Sequence, residues 1–203
     1  MGNTLSFSAP SERNKQPILE VLRTLLPAQG TALEIASGTG QHVAWFAQHL
    51  PHWTWQPTDL KTDLFPDIVA RTAGAGLGNV QPPLALDVLA EPWPVQDHRY
   101  DLVYCANMLH IAPWACCAAL MRGAARQLAP QGRLVTYGPY LEDEVTTSEG
   151  NLRFDATLRA QDPAWGIRRR EDVAQEAQRA GVALVARHAM PANNLLLVWQ
   201  AAG

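Results

Sequence analysis

The sequence predicts an α/β fold: a mostly parallel, seven-stranded sheet that ends in an antiparallel hairpin. Three observations carry this. Short apolar runs alternate with longer segments whose apolar residues recur at helical spacing, the pattern of βα units joined by right-handed crossovers. The last two apolar runs, "VALVARHAM" and "NLLLVWQA", are separated only by "PANN". A parallel pair would need a long crossover, so these two pair antiparallel. A glycine turn, "ASGTG", closes the first apolar strand and opens a helix, and open α/β sheets hold ligands at such strand ends.

The elements follow in order. "PILEVLRTLLP" (Pro17 to Pro27) has helical spacing, with Pro17 where a helix start tolerates it and Pro27 closing the helix. Residues 1–16 then read as an N-terminal arm able to serve as a lid. "TALEIAS" is the first strand and "QHVAWFAQHL" a helix stopped by Pro51. "WTWQPTD" is the second strand, with Pro57 near its end, where a strand accepts proline. A weak helix over Asp63 to Ala73 leads to a third strand, "PLALDV", and then a fourth, "YDLVYCAN". "WACCAALMRGAARQLAP" is a strong helix and "GRLVTYGPY" the fifth strand. Residues 141–165 are polar, hold a short helix around "FDATLRAQD", and read as an insertion covering a substrate. "REDVAQEAQRAG" is a helix capped by Gly181 before the final hairpin. Residues 1–203 read as one domain.

Composition narrows the function. The 203 residues carry a net charge of -3 and 47% hydrophobic residues, which gives no general pull toward nucleic acid or an anionic membrane. No apolar run is long enough to span a bilayer. Gly2 and Ser6 fit an acylation pattern, but no polybasic segment follows, and the match is treated as chance. Cys105, Cys116 and Cys117 have neither disulfide nor zinc spacing. These features suit a reduced, cytoplasmic protein acting on a small molecule, with no metal.

The ligand of the glycine turn can be narrowed next. Glycines let the backbone approach a ligand closely, and the following helix offers free N–H groups and a positive dipole end. A dinucleotide fingerprint needs a third small residue, where this chain has Val43, and no Gly-Lys-Ser/Thr follows for a triphosphate. Glu34 precedes the turn. Asp59 lies nineteen residues beyond Gly40 at the end of the second strand, and Asp87 ends the third. An acid at the Asp59 position binds ribose hydroxyls. Asp87 either accepts from an adenine amino group or is a turn residue. All three acids lie at the carboxyl ends of adjacent strands.

Glu34-x-Ala36-Ser37-Gly38-Thr39-Gly40 resembles the acid-x-Gly-x-Gly-x-Gly signature of class I S-adenosylmethionine-dependent methyltransferases, with Ala36 in the first glycine position. More of the chain is similar to the methyltransferase-like protein 26 family, a domain-of-unknown-function family: "ERNKQPILEVL", "LEIASGTGQHV", "WQPTDL", "YDLVYCANMLHIAPW", "YGPY", "FDATLRAQDPAWGIR" and "MPANN" occur in its order. Three positions depart from that pattern: Gly150 stands for serine before Asn151, Arg169 for aspartate, and Thr58 for serine.

The resemblance implies a Rossmann-like class I methyltransferase fold, S-adenosylmethionine as cofactor and S-adenosylhomocysteine as product. It implies a cofactor site of Arg13, Glu34, Ala36, Ser37, Gly38, Gly40, Asp59, Leu60, Asp87, Val88 and Asn107, with Glu34 facing the cofactor ammonium. Asn107 lines the methyl-transfer site. His110 is the base candidate, since imidazole titrates near neutrality, although a lone histidine before an apolar residue is more often structural or an orienting hydrogen-bond donor. Tyr137 and Tyr140 flank Gly138-Pro139 and would wall the acceptor pocket, joined by Trp114 and Trp165. Asn14 and Asn193 are further substrate candidates, Asn193 also reading as a turn residue. Arg13 or Arg168 would clamp an acidic substrate. Two other readings stay open: a non-catalytic S-adenosylmethionine-binding protein, and an NAD-dependent oxidoreductase, which Val43 and the hairpin disfavour.

Overall fold

The computed structural model describes residues 5–95 and 97–202. Gly2 and the first four positions of the expected arm lie outside them. The strands are β1 (Gly30–Ile35), β2 (Trp53–Asp59), β3 (Leu84–Ala85), β4 (Tyr100–Ala106), β5 (Leu128–Leu141), β6 (Arg168–Arg169), β7 (Val182–Met190) and β8 (Asn194–Ala201). The helices are α1 (Ala9–Leu25), α2 (Gln41–His49), α3 (Phe65–Gly74), α4 (Ala115–Gln127), α5 (Glu149–Gln161) and α6 (Arg170–Arg179). The sheet runs β3-β2-β1-β4-β5-β8-β7, with the two-residue β6 beside the end of β5. All pairs along β3 to β5 are parallel, and β8 is antiparallel to both β5 and β7. This is the expected mostly parallel sheet with its terminal hairpin, plus one short strand.

Strand alternation sends side chains to two cores. Leu33, Ile35, Val103, Cys105, Leu134, Leu197 and Trp199 pack on one face beneath α4 and α6. Ala32, Leu102, Tyr104, Val135, Tyr137 and Leu196 pack on the other beneath α1, α2 and α3, through Ile18, Leu22, Val43, Phe46 and Ile68. Period-two alternation makes neighbouring residues of one strand members of different cores.

Three elements differ from expectation. α1 starts at Ala9, with Pro17 inside it. Ser8 caps the helix by accepting from the Ser11 amide, and Pro10 occupies the first turn. Pro17 removes one helical hydrogen bond without ending the helix, because Ile18, Leu19 and Leu22 are fully buried against the sheet. Residues 9–16 are thus helix and not an extended arm. β3 is two residues long where "PLALDV" suggested six: it is an edge strand, and Pro82 and Pro83 before it have no N–H to donate. α5 starts at Glu149, capped by Ser148, well before the expected short helix. Among the described residues no helix is long and apolar enough to cross a membrane. All three cysteines are free and buried.

Candidate functional site

The sheet order reverses direction between β1 and β4, and open α/β sheets hold ligands in the crevice outside the carboxyl ends of strands at such a switch point. The turn after β1 forms one wall. Ala36, Gly38 and Gly40 all have left-handed backbone, with φ of 59°, 53° and 72°. Gly40 is the N-cap of α2, and a Cβ there would come within 2.9 Å of Ile68 Cγ1. A Cβ at Gly38 would meet nothing within 4 Å, so this part of the turn faces open space.

Hydrogen bonds fix the turn to β2. The Ser37 amide donates to the Thr58 carbonyl (2.9 Å), the Thr58 amide to Ser37 Oγ (3.1 Å) and the Thr58 hydroxyl to the Glu34 carbonyl (2.7 Å). Asp59 is held from both sides: Oδ2 accepts from the Gly38 amide at 2.8 Å and Oδ1 from the Lys61 amide at 2.9 Å. A carboxylate has about four acceptor sites, so each oxygen keeps capacity for a ligand hydroxyl. At the next strand end Asp87 is exposed, and its Oδ1 accepts from the Leu89 amide at 2.9 Å, an Asx turn. Leu60 and Leu89 stand exposed beside the two acids, at 65% and 50%, while Val88 is buried.

Glu34 is 2% exposed, on the same face as Tyr104. Its Oε2 is buried and has no hydrogen-bond partner. Burial raises its carboxyl to about 8; the Ser37 hydroxyl pulls the value back and the Asp59 charge adds to the rise.

The second wall comes from β4, β5 and the loop after β4. Asn107 has φ 57°, a conformation asparagine tolerates, and its amide donates to the Tyr137 carbonyl at 2.8 Å. Its side chain meets His110 over Gly138, where a Cβ would lie 3.9 Å from Asn107 Oδ1 and 3.5 Å from His110 Nδ1. His110 is buried, with the Phe154 ring of α5 edge-on at 5.6 Å. Burial, with the Arg168 charge, pushes its imidazole down to about 4. It is neutral at pH 7 and a weak base.

Several predicted site residues do other work. Asn14 is buried: its Oδ1 accepts from His42 Nε2 at 2.6 Å, and His42 Nδ1 accepts from the Tyr104 hydroxyl at 3.1 Å. The proton on His42 Nε2 is assigned from these partners. Tyr140 is a core residue whose hydroxyl donates to Thr136 Oγ1 at 2.9 Å, so it does not wall a pocket with Tyr137, which faces the opposite side of the sheet. Arg168 is engaged by backbone: Nε donates to the Leu109 carbonyl, one terminal nitrogen donates to both the Ala112 and Ala164 carbonyls, and the guanidinium lies 5.6 Å from the Trp114 ring. Asn193 is an exposed turn residue, φ 56°, whose carbonyl accepts from Asn151 Nδ2. Trp165 is half-buried and Arg13 is exposed, its charge felt by Tyr137.

One group was missed by sequence reasoning. Gln41 Oε1 accepts from the Ser8 amide, and Gln41 Nε2 donates to Glu12. Arg71 donates to the Thr39 and Ser6 carbonyls, and Asp67 accepts from the Ser6 amide. These side chains strap the N-terminal segment across the start of α2. The spacing Asp67-x-x-x-Arg71, one turn of α3, was the available signal.

The fold is shared with solved methyltransferases. An O-methyltransferase family protein from Burkholderia thailandensis superposes with a TM-score of 0.79 at 19% identity, covering 96% of this chain and 59% of the other. An O-methyltransferase family 2 protein from Planctomyces limnophilus, solved with apigenin, gives 0.72 at 19%, with 92% and 61% covered. CalO1, a methyltransferase in calicheamicin biosynthesis solved with S-adenosylhomocysteine, gives 0.73 at 16%, with 94% and 54%. The chain spans less than two thirds of each of these proteins. Together with the strand order they establish the Rossmann-like class I methyltransferase fold. The family model described as "Protein of unknown function (DUF938)" matches residues 5–201, and the chain belongs to that family.

Proposed function

We propose that this protein is an S-adenosylmethionine-dependent methyltransferase acting on a small-molecule acceptor, of the methyltransferase-like protein 26 kind that its sequence resembles. The observation that carries this is Glu34: a carboxyl buried at the foot of the glycine turn with one oxygen unpartnered, beside an Asp59 carboxylate aligned by two backbone amides. Leaving a polar atom buried and unpaired is costly. A ligand with an ammonium group and a ribose diol satisfies both acids. Leu60 and Leu89 offer apolar surface for a base, and Asp87 Oδ2 is free to accept from an exocyclic amine. The residues present fit the cofactor.

Bound there, S-adenosylmethionine would supply an electrophilic methyl group for in-line transfer to an acceptor lone pair, with its sulfur as the leaving group. The protein's part is to orient and to exclude water. Glu34 and the turn would hold the cofactor's amino-acid end, and Asp59 its ribose. Asn107, His110 and Tyr137 would line the acceptor side. His110 accepts a hydrogen bond from an acceptor N–H or O–H rather than removing its proton outright. Acceptors that arrive ionised, or whose proton leaves to water, suit it best. No nucleic-acid partner, no metal and a cytoplasmic setting complete the reading, which the near-neutral charge and buried free thiols support.

Calorimetric titration with S-adenosylmethionine and S-adenosylhomocysteine tests it. Micromolar binding of both is expected. No binding at millimolar ligand, with quenching of tryptophan fluorescence by NADH, would replace it with the oxidoreductase reading.

A further inference from the structure

Glu34 does more than mark a subsite. Its neighbours on every side are neutral or acidic. Tyr104 on β4 is opposite it in register, with its hydroxyl committed to His42 of α2. His42 is fully buried, and burial pushes its imidazole down to about 4, so it carries no charge at neutral pH. Burial likewise keeps the Cys105 thiol and the Tyr104 phenol protonated. Ser37 in the turn is a hydroxyl, and Pro57, opposite on β2, has no N–H to offer. Among the described residues, the charge that raises the Glu34 carboxyl is that of Asp59, and it has the same sign. An ionised carboxylate there would be buried without a cation, which is far costlier than a buried neutral acid.

We propose that Glu34 is a neutral carboxylic acid in the ligand-free protein and gives its proton to solvent when a ligand ammonium reaches Oε2, so that cofactor capture is proton-linked. This rests on the proposed cofactor. The exchange balances: the O–H bond of Glu34 breaks, the electron pair stays on the carboxylate, one proton leaves to water, and the ammonium replaces it as ion-pair partner. The raised carboxyl predicts that release is nearly complete at pH 7 and fades above pH 8. Ligands with the nucleoside but no ammonium leave Glu34 protonated. The same residue therefore discriminates the amino-acid end of the cofactor from its breakdown product methylthioadenosine.

Titrating S-adenosylhomocysteine at pH 7 in phosphate and in Tris, whose ionisation enthalpies differ widely, counts the protons. Close to one proton released per ligand is expected for the native protein, and close to none for methylthioadenosine or for Glu34→Gln with S-adenosylhomocysteine. Affinity for S-adenosylhomocysteine should rise nearly tenfold per pH unit between about pH 6 and 7.5. Binding whose enthalpy does not depend on the buffer overturns the inference alone. So does equal release with methylthioadenosine, an arm that needs no variant to fold. Absence of binding by both ligands overturns the cofactor reading as well.

Discussion

The two walls of the crevice treat their polar groups differently. On the β1–β2 side, backbone amides and carbonyls fix the frame, and the acids keep unused capacity: Glu34 Oε2 has no partner, and Asp59 is aligned by amides without being saturated. On the β4–β5 side Arg168 spends its guanidinium on three backbone carbonyls and Asn14 is tied to His42, while the large side chains left exposed are apolar, among them Ile111, Trp114, Leu152 and Phe154. A wall with spare acceptors suits one fixed, charged ligand. A wall whose charge is spent on backbone and whose exposed groups are mainly apolar holds a shape and leaves recognition chiefly to apolar contact. On the proposed function, the first suits holding a cofactor and the second suits positioning an acceptor.

The largest test of this contrast is Asp59→Ala. Charge-assisted hydrogen bonds contribute about 1.5–3 kcal/mol each, so losing two ribose contacts weakens S-adenosylhomocysteine binding by roughly 100-fold or more in calorimetry. Tyr140→Phe, which removes a hydroxyl bonded inside the core, should leave that affinity within about twofold while lowering the melting temperature by a few degrees, roughly the 1 kcal/mol of one hydrogen bond. Equal loss of affinity in both variants would erase the distinction between the walls.

The glycine turn separates frame from ligand surface within the first wall. Gly40→Ala combines left-handed strain of about 1–2 kcal/mol with a clash against Ile68, including its backbone Cα at 3.1 Å, which adds about 1–3 kcal/mol. A fall in melting temperature of roughly 5–15 °C follows for a chain of this size. Gly38→Ala carries the strain without the clash. It should fall by no more than half as much, yet lose more ligand affinity, because its Cβ enters the space the turn leaves open.

How far these features were legible depends on what encodes them. The β1–β2 wall is written in local grammar. An acid, two glycines and the acid ending the next strand lie at fixed sequence offsets, so Glu34, Gly38, Gly40 and Asp59 were found together. The acceptor wall depends on which face of a strand or helix a side chain occupies. Tyr137 and Tyr140 look alike in sequence, but three residues along a strand put them in different cores. Arg168 looks like a clamp until its carbonyl partners, over fifty residues away in the loop after β4, are known. Pro17 read as a helix start because a proline penalty is local, whereas the burial that overrides it is tertiary.

Arg168→Ala probes the second wall. Releasing the Leu109 and Ala112 carbonyls and the Trp114 stack loosens the turn that carries His110, at about 1–3 kcal/mol, or roughly 3–10 °C in melting temperature. Affinity for S-adenosylhomocysteine should hold within about twofold. An unchanged melting temperature with weakened binding of an acidic acceptor would return Arg168 to the role of clamp.

Ala36→Gly should have the smallest effect, and its size tests how the first wall tolerates a side chain where the signature has glycine. Ala36 has φ 59° and is partly buried against the core under α4. Glycine relieves about 1–2 kcal/mol of left-handed strain. Against that, it adds about 0.5–1 kcal/mol of unfolded-state entropy and removes part of the roughly 0.8 kcal/mol that a buried methyl contributes. The terms nearly cancel, so the melting temperature should shift by less than about 3 °C. Ligand affinity should stay within about twofold, because the methyl group packs against the core rather than into the crevice. A tenfold change in either direction would place that methyl against the ligand and make Ala36 a determinant of what the turn accepts.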